Sequence, residues 1–136
     1  MTNQIPSKKT YIKYDLEERT AKFGENIIKF AKKIPENTVT KPLIPQVVKS
    51  GTSIGANYCE ADDAESKKDF NHKIGICKKE ASETKCWLRM IVVAVPELKE
   101  EARKLWTEAK ELNLIFNAII RSSRKNMSTG INKFVH

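Results

Sequence analysis

Apolar residues recur along most of this chain at alternating spacings of three and four, the period of one face of an α-helix. The first stripe is Leu16, Thr20, Phe23, Ile27, Phe30 and Ile34. Pro35 ends it, because a proline disfavours helical geometry in the residue before it. The second comprises Ile44, Val47, Gly51, Ile54 and Tyr58, and the third Phe70, Ile74, Cys77, Ala81, Thr84, Leu88, Ile91 and Val95. The fourth is Leu98, Ala102, Leu105, Ala109, Leu112, Phe116 and Ile119. These stripes predict helices over about 14–34, 40–63, 66–95 and 97–123. Four such seams joined by short links specify an all-α fold, an up-down-up-down antiparallel four-helix bundle forming a single domain over 1–136.

Local signals punctuate the pattern. Thr40 stands where it can cap the second helix, and Pro42 sits in its first turn, while Pro45 can delay its regular part by several residues. Ser66 followed by Asp69 resembles a capping box at the start of the third helix. Pro96 either stops that helix or opens the fourth. Residues 1–12, edged by Lys8, Lys9 and Lys13, read as a loosely ordered basic arm, and the basic tail beyond Arg121 as frayed.

The second helix carries another row, Gln46, Ser50, Ser53, Asn57 and Glu60, which is small, polar and mostly uncharged. A helix facing only water favours long charged residues, since they solvate well and disfavour the helix less than Ser and Asn. This row is therefore expected to be covered by another copy of the chain. Gly51 and Gly55 each cost about 1 kcal/mol relative to alanine in a helix interior. Close approach of a neighbouring helix offsets such a cost; local tolerance of glycine is the alternative. On the third helix Glu80 and Glu83, with Ile76 and Trp87, form a strip suited to the Ser53/Asn57/Glu60 row of an adjacent copy or of the same chain. A structural hydrogen-bond network is the expectation there, and a buried catalytic acid the alternative.

The net charge of +8 and the pI of about 9.4 add an acidic partner, RNA or DNA, to the picture. Lys67, Lys78, Lys85 and Arg89 project within about 40° of one another on the third helix, flanked by Lys68 and Lys79. Such a stripe can follow phosphates, and a solvated helix edge is the alternative. No aromatic residue interleaves with it, so electrostatic rather than base-reading contact is expected.

Other chemistries find little support. Asp69 and His72 make a single DxxH, and the other histidine, His136, is in the tail, so a di-iron centre lacks its second half. Cys59, His72, Cys77 and Cys86 occupy different positions around their helices, which argues against zinc, and Cys77 reads as core filler. No serine or cysteine nucleophile is placed beside a histidine, and no glycine-rich phosphate loop occurs. Arg19, Arg89 and Arg103 are scattered rather than convergent, which disfavours an all-helical enzyme for an acidic metabolite. No cofactor, metal or catalytic residue is expected. Three cysteines without CxxC spacing suit a reducing interior. The N-terminus lacks the apolar run of a signal peptide, and the longest apolar run, Met90–Val95, is too short to span a membrane. A cytoplasmic location is expected.

The stretch Ser53-Ile54-Gly55-Ala56-Asn57-Tyr58-Cys59-Glu60-Ala61 resembles the Ser-Ile-x-x-Asn-x-x-Glu-Gly hallmark of the four-helix proteins encoded in intervening sequences of bacterial 23S rRNA genes, with Ala61 where many members have glycine. Gln46, Ser50, Phe70, Glu80, Glu83, Thr84 and Leu88 extend the likeness, which covers about 14–123. The resemblance implies a homopentamer without known catalytic activity. A similar protein accompanies diversity-generating retroelements, where it partners a reverse transcriptase and contacts RNA through a basic surface. An adaptor for such a polymerase is thus a further expectation.

Overall fold

The computed structural model describes residues 8–135, with side chains over 16–125. Helix α1 spans Lys8–Ala31, α2 Leu43–Asp62, α3 Lys67–Ala94 and α4 Lys99–Val135, with a short 3-10 turn at Pro96–Leu98. Consecutive helices pack side by side, and α4 closes the ring on α1. Bonds across three of the interfaces run in opposite senses, and at the fourth Gly51 lies against Ile27 while Gly55 lies against Thr20. Ser50 meets Thr84 while Glu60 meets Lys73, Lys78 meets Asn117 while Ser82 meets Asn113, and Arg19 meets Glu108 while Lys33 meets Glu101. The ring is therefore antiparallel, up-down-up-down. None of the described helices is long and apolar enough to cross a membrane.

The four seams turn inward. Leu16, Phe23, Ile27 and Phe30 from α1, Val47 and Ile54 from α2, Ile74, Leu88 and Ile91 from α3, and Leu112 and Phe116 from α4 are each at most 2% exposed. Removing apolar surface from water at about 25 cal/mol per Å² is the main force holding such a ring. Where α1 crosses α2 the backbones come close. A methyl group on Gly51 would stand 2.7 Å from Ile27 Cγ1, and one on Gly55 would stand 3.4 Å from the Thr20 carbonyl carbon. Close packing accounts for Gly51, whereas a methyl at Gly55 would make only ordinary van der Waals contact.

The helix ends differ in places from the sequence pattern. Helix α1 closes at Ala31, and Lys33 and Ile34 follow in tight turns that donate to the Phe30 and Ala31 carbonyls at 3.0 and 3.1 Å, which carries Ile34 into the core ahead of Pro35. Helix α2 starts at Leu43, and its N-cap is Pro42 rather than Thr40. Thr40 is fully buried; its hydroxyl donates to the Pro35 carbonyl at 2.5 Å and accepts from the Asn37 amide at 2.9 Å. Pro45 does not delay the helix, because amides of the first turn lack helical partners anyway. At α3 the Ser66 hydroxyl does accept from the Asp69 amide, at 3.0 Å. Pro96 does both things expected of it, ending α3 and opening the turn into α4.

Helix α4 continues to Val135 rather than fraying near Ser123, since no proline interrupts 124–135. Near its end the buried residue is Ile120, four after Phe116, and Ile119 is only half-buried. The expected basic arm is helical from Lys8 onward, while residues 1–7 and His136 lie outside the described residues.

Candidate nucleic-acid interface

Each helix has two flanks beside its core seam, and the α3–α4 pair sorts them by charge. One position after the buried Ile74, Cys77, Ala81, Thr84, Leu88 and Ile91 come Gly75, Lys78, Ser82, Lys85, Arg89 and Val92. One position after Ala102, Leu105, Ala109, Leu112, Phe116 and Ile120 of α4 come Arg103, Trp106, Lys110, Asn113, Asn117 and Arg121. These two rows face each other, and neither contains an acid. Lys78 Nζ donates to Asn117 Oδ1 at 3.1 Å, and Asn113 Nδ2 donates to the Lys78 carbonyl at 2.9 Å and to Ser82 Oγ at 2.7 Å. Lys85 Nζ and Lys110 Nζ stand 5.5 and 5.7 Å from the centre of the Trp106 ring.

Beyond Trp106 the two helices splay around an open hollow of about 460 Å³, lined by Arg89, Val92, Val93, Lys99 and Arg103 among others. Three of the four acids of α4, Glu101, Glu108 and Glu111, lie on its other flank, against α1. Arg19 clamps Glu108 through two bonds of 2.8 Å and reaches Glu111 at 2.6 Å, and Lys33 pairs with Glu101 at 2.8 Å. With these carboxylates occupied by α1, the two facing rows of the α3–α4 face carry cations and no acid.

All four cations expected from the third helix fall on or beside this face. Lys67 is exposed about three turns before Lys78, and Arg89 is exposed at the rim of the hollow. Lys78 and Lys85 are half-buried because each leans onto α4. The expectation that no aromatic interleaves with them is corrected. Trp106, 38% exposed, stands among them from the neighbouring helix, together with Arg103 and Lys110. The signal was present in α4 as a row at four-three spacing, Arg103, Trp106, Lys110, Asn113 and Asn117, but only the packing brings it beside α3.

The α2–α3 face collects the other predicted residues. Ser53 and Asn57 are half-buried and bond within their own helix: Asn57 Nδ2 donates to the Ser53 carbonyl at 2.8 Å, and Ser53 Oγ to the Lys49 carbonyl at 2.5 Å. Gln46 is exposed at the start of this row, and Glu60 pairs with Lys73 at 2.7 Å. Burial raises the Glu80 carboxyl above the usual range, with repulsion from nearby Glu83 adding to it. Ser50 needs a correction. It is 2% exposed, and its hydroxyl lies 2.9 Å from that of Thr84, so its own chain covers it rather than a sister copy. Only about 100° separates Ser50 from Gly51, and the contact with α3 is wide enough to take in both.

Cys77 is enclosed, and its thiol donates to the Ile54 carbonyl at 3.5 Å. Burial pushes it up to about 12, which makes it inert filler. Among the described residues no three His, Cys, Asp or Glu side chains gather as a metal site.

A family model described as 23S rRNA-intervening sequence protein matches residues 13–118. Among solved structures, the chain is similar to a protein with unknown function from the S23 ribosomal protein family of Bacteroides thetaiotaomicron VPI-5482. The two share 30% identity over 77% of this chain and 97% of that one, with a TM-score of 0.69. Comparison with curated proteins gives no match.

Proposed function

Because the chain belongs to the 23S rRNA-intervening sequence protein family, we propose that it is a non-enzymatic, homo-oligomeric helical bundle, pentameric in assembly, whose α3–α4 face holds RNA or DNA without sequence preference. The observation that carries this reading is the charge sorting of α4, with Glu101, Glu108 and Glu111 turned to α1 and Arg103, Lys110 and Arg121 in the row facing α3. A surface of this kind binds phosphates because each one neutralised releases condensed counterions, and the affinity then falls with salt by about 0.9 logarithmic units per phosphate on duplex DNA. The test is a salt titration of binding between about 50 and 200 mM. A steep fall is expected. Replacing Lys67, Lys78, Lys85 and Arg89 together with glutamine should flatten the slope by about three to four. No binding at low salt, or a slope untouched by the four replacements, overturns the reading.

Self-association is assigned to the α2–α3 face, where Ser53, Asn57, Glu60, Glu80 and Glu83 form a polar row that solvent alone would not favour. A second reading, an adaptor for a polymerase or reverse transcriptase, draws on Met90 and Val93, which are 45% and 77% exposed. A pull-down with and without nuclease separates the two, since a protein partner survives digestion.

A further inference from the structure

We infer that Trp106 is a stacking platform for an unpaired nucleobase, so that the α3–α4 face prefers single-stranded to double-stranded nucleic acid; this rests on the charge reading above. Trp106 lies outside the core seam and keeps 38% of its surface exposed. Its indole is attended by two ammonium groups, Lys85 Nζ at 5.5 Å and Lys110 Nζ at 5.7 Å, and borders a hollow it shares with Val92 and Val93. Beside it Arg89 and Arg103 edge an open hollow floored by Leu88 and Ala102.

The three parts correspond to those of a single-strand site: an aromatic ring, cations spaced along a groove, and room beside the ring. The lysines over the ring do not block it. An exposed cation–π contact is worth a factor of only about 2–5, whereas stacking a base on an aromatic side chain is worth roughly 5–150. An arriving base therefore displaces an ammonium, and the freed lysine is then available to the phosphate of the same nucleotide. A duplex keeps its bases stacked internally and engages only the cations.

The test uses the full chain and two probes of equal length, a roughly 12-nucleotide single strand and its duplex, at about 50 mM salt. Trp106→Ala should weaken single-strand binding roughly 5- to 150-fold and leave duplex binding nearly unchanged. Trp106→Phe should restore most of the loss, which separates stacking from misfolding. In a Trp87→Phe protein, where Trp106 is the remaining indole, the single strand should quench the fluorescence, while the duplex and inorganic polyphosphate should bind without quenching. Equal losses on both probes, no loss on either, or equal quenching by the duplex overturns the platform. If those results come with an intact salt slope, the charge reading survives; if the unaltered protein binds neither probe, both fall.

Discussion

Gly51 and Gly75 are both helical glycines, yet a methyl group meets opposite surroundings at the two positions. At Gly51 it would press within 2.8 Å of two carbons of Ile27, a side chain with no exposed surface and little room to move. Overpacking of that kind costs about 1–3 kcal/mol, more than the roughly 1 kcal/mol that alanine recovers in helix propensity. Gly51→Ala should therefore lower stability by up to about 2 kcal/mol. At Gly75 nothing lies within 4 Å of the added carbon, and Gly75→Ala should raise stability by up to about 1 kcal/mol. Urea denaturation of the two variants checks both signs, and a gain at Gly51 would show that α1 and α2 are not pressed together. At this scale most core positions were legible in the sequence, because the four-three spacing names them directly. Ser50 was not, since its polarity placed it with the outer row, whereas a hydroxyl partner, Thr84, makes it acceptable inside.

Among the elements, the link between α1 and α2 is held by side chains. Asn37 Oδ1 accepts from the Val39 and Thr40 amides at 2.9 Å, and the Thr40 hydroxyl bonds Asn37 and Pro35. The Thr40 carbonyl then receives the Leu43 and Ile44 amides at 2.9 and 3.0 Å. Thr40 thus begins α2 through its backbone while its side chain locks the preceding turn. Thr40→Val keeps the shape but leaves the Asn37 amide and Pro35 carbonyl without their partner, a loss of about 1–3 kcal/mol. Thr40→Ser should recover most of it. Thermal unfolding of the pair checks this, and equal stability of the valine and serine forms would refute the lock. The sequence announced that something capped the start of α2, but a threonine two residues before a proline supports either a cap or a lock. Which of them forms depends on the fold of residues 35–40 as a unit.

In the whole molecule, the surfaces that matter are composites of two helices, and these were the least legible part. A stripe on α3 could be counted along one helix, but its aromatic member comes from α4, while three of the acids of α4 are paired with α1 on the opposite flank. The proposed assembly is also a property at this scale. Light scattering should give a particle five times the 15.5 kDa protomer mass. Asn57→Arg, which sets a long charge into the half-buried α2–α3 row, should return it to the protomer with its helical content intact. A monomeric mass for the unaltered protein would remove the reason given for that polar row.

The ion-paired edge between α1 and α4 has one more effect. Arg19 and Lys33 fasten this side of the ring with partly exposed charges, which salt screens. In the proposed binding mode, the electrolyte that strips phosphates from one side of α4 also slackens the clasp on its other side, so that release of nucleic acid and loosening of the bundle respond to a single dial.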